Sequence, residues 1–286
     1  MSVLESSTLK VTRAVPVVSI GASGRWPSLN LRELIAYREL LYFLAWRDVK
    51  VRYKQTIIGA AWAIVQPVMT MVVFTVVFGK FANIPSDGFP YPLFAFTALL
   101  PWNYFASALT RSGNSMISES HLISKVYFPR LILPLAATVS GLVDFSVAFI
   151  ILIGMMLWFG IMPGWGIVAL PFFLSFALIT ALAVGLWLSA LNVRYRDVAH
   201  TIPFLTQVWM FASPIAYPVS LVPEKWRLLY GLNPMAGVIE GFRWALLGKD
   251  GPDFAVMSVS TTVVAMLLCG GLLFFKRMER TFADVV

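Results

Sequence analysis

Residues 131–159 read LILPLAATVSGLVDFSVAFIILIGMMLWF and contain a single charged side chain, Asp144. About 20 apolar residues are enough for an α-helix to cross a hydrocarbon core of roughly 30 Å, so this stretch predicts a membrane-spanning helix. The uncharged connection MPGWG (162–166), which contains strong helix breakers, leads into a second apolar stretch at 167–192. Together the two stretches predict a hairpin of membrane helices.

Four further apolar stretches flank this hairpin, at 57–78, 93–109, 202–218 and 254–275. Hydrophobic residues make up 59% of the chain and charged residues only 13%, whereas soluble domains carry about a quarter charged residues. These features predict an all-α membrane protein whose six transmembrane helices form one domain at 57–275.

Basic residues in the connections predict the orientation, because Lys and Arg are retained on the cytoplasmic side. If the N-terminus is cytoplasmic, nine of the 22 Lys and Arg residues precede the first stretch, three lie between the second and third, two between the fourth and fifth, and three after the sixth. The connections on the outer side contain only five. We therefore expect cytoplasmic tails at 1–30 and 276–286. The net charge of +8 comes from basic residues in the N-terminal segment and in the connections between apolar stretches. This distribution favours membrane topology over a nucleic-acid partner as its explanation.

Residues 31–56 predict an amphipathic helix along the membrane surface. Apolar residues recur there at helical spacing, with charged residues mostly elsewhere; they are Leu31, Leu34, Ile35, Tyr42, Ala45 and Val49. The segment LLYFLAW (40–46) is too apolar for an ordinary solvated helix, which favours the interfacial location.

Two short helices are predicted between the fifth and sixth stretches. The first covers 223–230, and the second has Asn233 as its cap, Pro234 at its first position and Gly248 just past its end. The second has an apolar face made of Met235, Val238, Ile239, Phe242 and Leu246. Because they follow a stretch in which Pro203 and Pro214 are expected to cause kinks, these helices suggest a lid on the outer side.

No motif for catalysis or nucleotide binding occurs in the sequence. It has no GxSxG, HExxH or GxxxxGK[ST], and its two histidines lack acidic or cysteine partners at metal-ligand spacing. We therefore expect a non-catalytic chain with no cofactor or metal of its own. If ATP drives the process, the nucleotide and Mg²⁺ must be bound by another polypeptide.

Asp144 is the one ionisable residue expected deep in a span, near mid-membrane. Such groups line polar channels, relay protons or form structural hydrogen bonds between helices. With no second charge expected within the spans, the structural role is favoured. Trp62 and Gln66 share one face of the first span and are weaker candidates for a channel wall.

Five segments together resemble the ABC-2 type permeases that export O-antigen, capsule or teichoic-acid polymers. They are WRDVKVRYKQTIIGAAWAIVQPV (46–68), ISKVYFPRLILPL (123–135), LNVRYRDV (191–198), SPIAYP (213–218) and LNPMAGVIEGFRWALLG (232–248). The resemblance covers nearly the whole chain from residue 31. It implies a homodimeric conduit of two six-span chains, with two ATP-binding cassette subunits docked beneath it in the cytoplasmic membrane.

The same resemblance assigns roles to groups of residues. The family's coupling helix, which contacts the ATPase, corresponds to Ser118, Glu119, His121, Leu122 and Lys125, with a smaller contact at Arg194, Arg196 and Asp197. The two outer helices match the family's extracellular gate, with Trp226, Tyr230, Glu240 and Arg243 as candidate gate residues. The cargo is a glycan on a polyprenyl diphosphate, which Arg47, Lys50, Arg52 and Lys54 are placed to attract by charge. The alternative role of these basic residues is to fix topology.

Three other functions stay open on the sequence alone. A secondary transporter is disfavoured because neither paired intramembrane charges nor inverted repeats are apparent. A glycosyltransferase or lipid-modifying enzyme lacks the expected acidic and histidine motifs. Within the family, teichoic acid or another amphipathic lipid is an alternative cargo to an O-antigen-like polysaccharide.

Overall fold

The computed structural model describes residues 31–54, 57–248 and 251–285, and the regular elements in these ranges are all helical. Helices α1 (Leu31–Ala36) and α2 (Arg38–Lys54) occupy the segment that was predicted to lie on the membrane surface. The expected N-terminal tail and residues 55–56 lie outside the described ranges. On α2, Leu44, Ala45 and Val49 are buried, whereas Tyr42 is exposed.

The remaining helices form one bundle. Helix α3 (Ile57–Phe74) continues as a π-helical segment, Thr75–Phe81, and α8 (Leu170–Arg194) begins from a 3₁₀ turn, Trp165–Ala169. The others are α4 (Tyr91–Ser118), α5 (Ser120–Lys125), α6 (Ile132–Val139), α7 (Leu142–Trp158), α9 (Val198–Phe211), α10 (Glu224–Tyr230), α11 (Pro234–Leu247) and α12 (Phe254–Val285).

Within the described ranges, four helical segments are long and apolar enough to cross a membrane: Ile64–Phe81, Ile132–Trp158, Trp165–Arg194 and Phe254–Glu279. They correspond to the first, third, fourth and sixth predicted stretches. The second stretch lies in α4, which is long enough to span but carries Asn103, Arg111 and Asn114. The fifth stretch lies partly in α9, which ends at Phe211, and partly in the non-helical segment that follows and contains Pro214. The helical part is therefore shorter than the predicted stretch.

Helix α4 lies at the centre of the bundle and packs against α3, α6, α7, α8, α9 and α11. Most of its length is buried, including Phe94, Phe96, Phe105 and Leu109. At about 1.5 Å per residue its 28 residues extend roughly 42 Å. A helix surrounded by protein needs no uniformly apolar surface, which explains its lower hydropathy.

The apolar stretch predicted at 131–159 is confirmed as a helical segment long enough to cross a membrane, over Ile132–Trp158, but it contains one break. It is interrupted at Ser140 and Gly141, which separate α6 from α7. A Cβ atom on Gly141 would lie 2.5 Å from Nη2 of Arg111. The glycine therefore leaves room for an arginine of α4 to pass the interruption.

Apart from the core around α4, a separate cluster of buried hydrophobic residues joins α2, α6, α8 and the end of α12. It includes Leu44, Phe128, Ile132, Leu186, Phe275 and Phe282. Residues 276–285 continue α12 rather than forming a separate tail. Arg130 donates a 2.6 Å hydrogen bond to the Glu279 carbonyl and lies over the Phe282 ring. These contacts hold the end of α12 against the neighbouring helices. We call this end of the bundle, where α2 and α5 lie, the α2 end.

The opposite end, here called the α11 end, contains α10, α11 and the start of α4. The predicted caps of α11 are confirmed: the Asn233 side chain accepts a hydrogen bond from the Met235 amide, and Gly248 adopts the left-handed conformation with φ of 71°. Such a C-terminal position favours glycine because it lacks a Cβ atom. The predicted apolar face of α11 is fully buried.

Candidate functional sites at the two ends of the bundle

Asp144 lies in the first turn of α7 and is contacted from two other helices at the α2 end. Arg111 of α4 donates to its Oδ2 at 3.1 Å, and Arg52 of α2 forms an ion pair with the same oxygen. Tyr53 of α2 donates to Oδ1 at 2.6 Å. The expectation that Asp144 has no charged partner is therefore wrong, and its contacts match those of a structural carboxylate between helices.

Arg111 is the member of this cluster that the sequence analysis missed. The sequence pattern places Arg111 in the connection after the second stretch, whereas α4 continues for nine residues past Leu109, to Ser118. Its Nη2 donates to Ser107 at 2.6 Å, one turn earlier on the same helix, and its Nε is buried without a hydrogen-bond partner among the described residues. The available signal was the absence of a helix breaker between Leu109 and Gly113.

The Asp144 cluster carries two guanidinium groups and one carboxylate. The three side chains are each about one quarter exposed, at 25–27%. In this partly water-excluded setting charges interact more strongly than at a free surface. The arrangement links α2, α4 and α7 and leaves one positive charge in excess.

A second ion pair links α2 to the end of α4. Arg47 donates to Glu119, with Nη1 lying 3.0 Å from Oε2, and also pairs with Asp48 at 3.0 Å. The hydrogen bond that Arg47 donates to Glu119 raises the pKa of Arg47 above its usual value, despite partial burial. Glu119 lies between α4 and α5, so this pair connects α2 to the predicted coupling segment.

The other predicted coupling residues divide between two surfaces of the α2 end. On α5, His121 and Lys125 are exposed and Leu122 is half-buried, while Ser118 donates a 3.1 Å hydrogen bond to the Ser115 carbonyl. Arg194, Arg196 and Asp197 are exposed in the turn between α8 and α9, and Arg194 lies over the Tyr195 ring.

The four basic residues proposed for diphosphate attraction are not equivalent. Arg47 and Arg52 are engaged in the ion pairs described above. Lys50 and Lys54 are exposed, and the Lys50 ammonium lies 5.7 Å from the centre of the Trp46 ring. The two lysines are therefore the accessible charges of this group.

The candidate channel-wall residues on α3 are only partly described. Gln66 is exposed on the surface of the chain. The side chain of Trp62 lies outside the described residues. Their role in a channel wall remains a prediction.

At the α11 end, Arg243 is almost fully buried, with 3% of its surface exposed. Its Nη2 donates to the Ile215 carbonyl at 3.0 Å and its Nη1 to the Tyr217 carbonyl at 3.4 Å. The guanidinium also lies 3.6 Å from the centre of the Phe94 ring on α4. Arg243 therefore joins α11, the segment after α9 and the central helix.

The other candidate gate residues lie on α10 and α11. The hydroxyls of Tyr230 and Tyr217 are 2.7 Å apart, and Trp226 is half exposed beside Lys225. Glu240 lies one turn before Arg243, and burial raises its pKa to about 7 against the opposing effect of Arg243 and Arg227. Glu240 and Arg243 both line a polar cavity of about 580 Å³.

Comparison with known proteins identifies the family. Residues 39–247 match the family described as ABC-2 type transporter, which covers well over half of the chain. The chain belongs to the ABC-2 type transporter family. This confirms the resemblance drawn from the five segments, and with the four apolar helices it establishes a multi-pass membrane transport subunit.

Relatives with named roles match the ABC-2 chain over most of its length. The O-antigen export system permease protein RfbA of Myxococcus xanthus is 29% identical over 260 residues, which cover 90% of this chain and 98% of that protein. The protein of the same name from Klebsiella pneumoniae is 27% identical over 91% of this chain and 100% of its own. Polysialic acid transport protein KpsM of Escherichia coli is 23% identical over 77% of this chain and 84% of that protein.

Proposed function

We propose that this chain is the permease subunit of an ABC transporter that exports a polyprenyl-diphosphate-linked, O-antigen-like polysaccharide across the cytoplasmic membrane. The observation that carries the proposal is the end-to-end similarity to two O-antigen export permeases, each matched over at least 98% of its own length. The match therefore covers the full length of those permease chains and not one segment of them.

In this proposal the chain crosses the membrane six times. Helix α4 and the α9 segment join the four apolar spans, because α4 is long enough to cross and is enclosed by the others. The distribution of Lys and Arg favours cytoplasmic termini. The α2 end then faces the cytoplasm and the α11 end faces outward, where α10 and α11 act as a gate.

Energy is supplied by ATP on separate subunits. The sequence has no phosphate-binding loop, so two ATP-binding cassette chains carry the nucleotide and Mg²⁺ beneath a homodimer of this chain. Exposed residues of α5 and of the α8–α9 turn form the docking surface. The Arg47–Glu119 pair then connects that surface to α2.

Lipid-linked substrate approaches the α2 end from the inner leaflet. Basic side chains at a membrane surface each contribute about 1 kcal/mol of attraction for anionic headgroups. Lys50 and Lys54 are free of ion pairs among the described residues and lie on the interfacial helix. They are the first contacts for the diphosphate, and Arg47 and Arg52 add to the local positive potential.

A different amphipathic cargo, such as teichoic acid or another lipid, is the second candidate. Its support is the 24% identity to Inner membrane transport permease YadH of Escherichia coli (strain K12), a name that specifies no polymer. The higher identity and coverage of the O-antigen permeases favour the polysaccharide.

Co-expression with the ATPase encoded beside this chain tests the proposed assembly. We expect a stable complex with two copies of each chain, and an ATPase rate that depends on the permease. A variant ATPase that lacks its phosphate-binding lysine is the control for hydrolysis. Failure to form a complex, together with an ATPase rate indifferent to this chain, would remove the basis of the proposal.

A further inference from the structure

The cavity at the α11 end is formed by five separate parts of the chain, one of which is the segment 251–256 that leads into α12. Asp87 comes from the connection before α4, Ser220 from the 3₁₀ turn Val219–Leu221, Arg227 from α10, and Glu240 and Arg243 from α11. Its volume of about 580 Å³ lies within the roughly 300–1,000 Å³ of small-molecule sites. The walls are therefore built by tertiary packing and not by one exposed loop.

Two arginines of the wall have unused hydrogen-bonding capacity. The Nε atoms of Arg227 and Arg243 are both buried and have no partner among the described residues. Arg243 is held by the Ile215 and Tyr217 carbonyls and by the Phe94 ring, so its guanidinium is fixed in place. These two Nε atoms lie beneath the cavity surface, whereas the terminal Nη atoms of Arg227 are accessible and make no hydrogen bond with another described residue, so they are the donors available to a ligand.

Acceptors lie in the same cavity. Within the described part of the chain, the Glu240 carboxylate accepts no hydrogen bond from another residue, and the Asp253 side chain accepts one from the Ala255 amide at 2.8 Å. Ser220 supplies a hydroxyl, which donates to Asp87 at 3.2 Å. Guanidinium donors, carboxylate acceptors and a hydroxyl thus surround one space.

The mixture of charges selects the class of ligand. The described wall has two guanidiniums and three carboxylates, from Asp87, Glu240 and Asp253. A phosphate would lie beside carboxylates and a metal cation beside guanidiniums, whereas a neutral polyhydroxyl compound satisfies both because each hydroxyl donates and accepts.

We propose that this cavity binds a short, uncharged segment of the exported glycan at the α11 end of the permease. The inference rests on the proposed function, since it assigns the cavity to the polysaccharide that the transporter carries. Glu240 accepts hydrogen bonds from sugar hydroxyls, and the Nη groups of Arg227 donate to ring or hydroxyl oxygens, while Arg243 holds the wall in place through the Ile215 and Tyr217 carbonyls. The site therefore retains the emerging chain through hydroxyl groups rather than through charge.

Saturation-transfer NMR on the permease–ATPase complex in nanodiscs tests the site, with maltose, cellobiose, lactose and mannobiose as probes. We expect at least one disaccharide to bind, and Glu240→Gln and Arg227→Gln to weaken that binding by about 10- to 100-fold, as expected for loss of a charged hydrogen-bonding group. Glu224→Gln and Lys225→Gln are matched controls, because both residues are exposed on α10 and do not line the cavity. If one variant fails to assemble with the ATPase, the other carries the test.

Three results would overturn the site: no disaccharide binds, the cavity variants bind as well as the controls, or inorganic phosphate displaces the sugar. ATP-driven export, measured on the same wild-type preparation, separates this failure from failure of the proposed function. Export without disaccharide binding removes the site alone. If lipid-linked polysaccharide is not exported at all, the proposed function on which the site rests is wrong as well.

Discussion

Arg111 on α4 and Asp144 on α7 are joined by a 3.1 Å hydrogen bond between Nη1 and Oδ2, and Arg52 on α2 contacts the same oxygen. Two guanidiniums therefore depend on a single carboxylate. Helix α2 is held to the centre of the bundle through Asp144, so a change at this residue acts on three helices at once.

Replacing Asp144 by Asn leaves both guanidiniums without a counter-charge. Loss of one partner costs about 3–5 kcal/mol in a buried pair and less than about 1 kcal/mol at the surface. Because these side chains are about one quarter exposed, we expect the free energy of unfolding to fall by about 2 kcal/mol. Denaturant unfolding in detergent measures the change.

Asp197→Asn is the control, because Asp197 is exposed and makes no ion pair with another described residue. The structural role of Asp144 predicts that the protein remaining folded after Asp144→Asn still exports. Unchanged stability combined with lost export would contradict that role and favour a channel or proton-relay residue.

Gly141→Ala tests the space that Arg111 occupies. The backbone at Gly141 has φ of −71° and ψ of −18°, which alanine adopts without strain. The added Cβ atom would lie 2.5 Å from Nη2 of Arg111, so the guanidinium must move, at a cost of about 1–3 kcal/mol. Thermal unfolding of the purified protein measures this cost.

Gly154→Ala is the matched control on α7, because a Cβ atom there meets nothing within 4 Å. In a helix interior alanine is favoured over glycine by about 0.8–1 kcal/mol, so this variant should be as stable as the wild type or slightly more stable. Equal destabilisation by both substitutions would show that Arg111 is not the cause.

The sequence predicted the helical class, the apolar stretches and the caps of α11, because these depend on local composition. Asn233, Pro234 and Gly248 specify the ends of α11 within one short segment. The apolar face of α11 also followed from helical spacing alone.

The Asp144 cluster could not be predicted in the same way. Arg52, Arg111 and Asp144 are 33 to 92 positions apart, and only packing brings them together. The charge tally counted Arg111 as part of a connection, because it assumes that helices end where hydropathy falls. Its position inside α4 was therefore not predicted. A helix enclosed by protein, as α4 is, does not follow that assumption.

Charge exchange at Arg47 and Glu119 tests the link between the docking surface and α2. Glu119→Arg places two cations together, and we expect ATP-driven export to fall by about fivefold or more while ATP hydrolysis continues. The double variant Arg47→Glu with Glu119→Arg should recover part of the export. Absence of recovery, with both proteins folded, would show that the pair does not transmit the motion.

Lys50→Gln combined with Lys54→Gln tests diphosphate attraction. Each surface lysine contributes about 1 kcal/mol, so the lipid-linked substrate concentration for half-maximal export should rise about 10- to 30-fold with little change in stability. The effect should shrink at high salt because exposed charges are screened. Lys80→Gln combined with Lys225→Gln is the control, since both lysines are exposed and lie away from α2; an equal effect would contradict a specific role for Lys50 and Lys54.

Transport in proteoliposomes tests the central claim most directly. The permease and its ATPase are reconstituted with the lipid-linked polysaccharide of the same organism, and glycan on the opposite side of the membrane is measured with a lectin or antibody. We predict translocation that requires ATP, both chains and an intact ATPase site. ATP hydrolysis by a fully assembled complex without any movement of the polysaccharide would contradict the account.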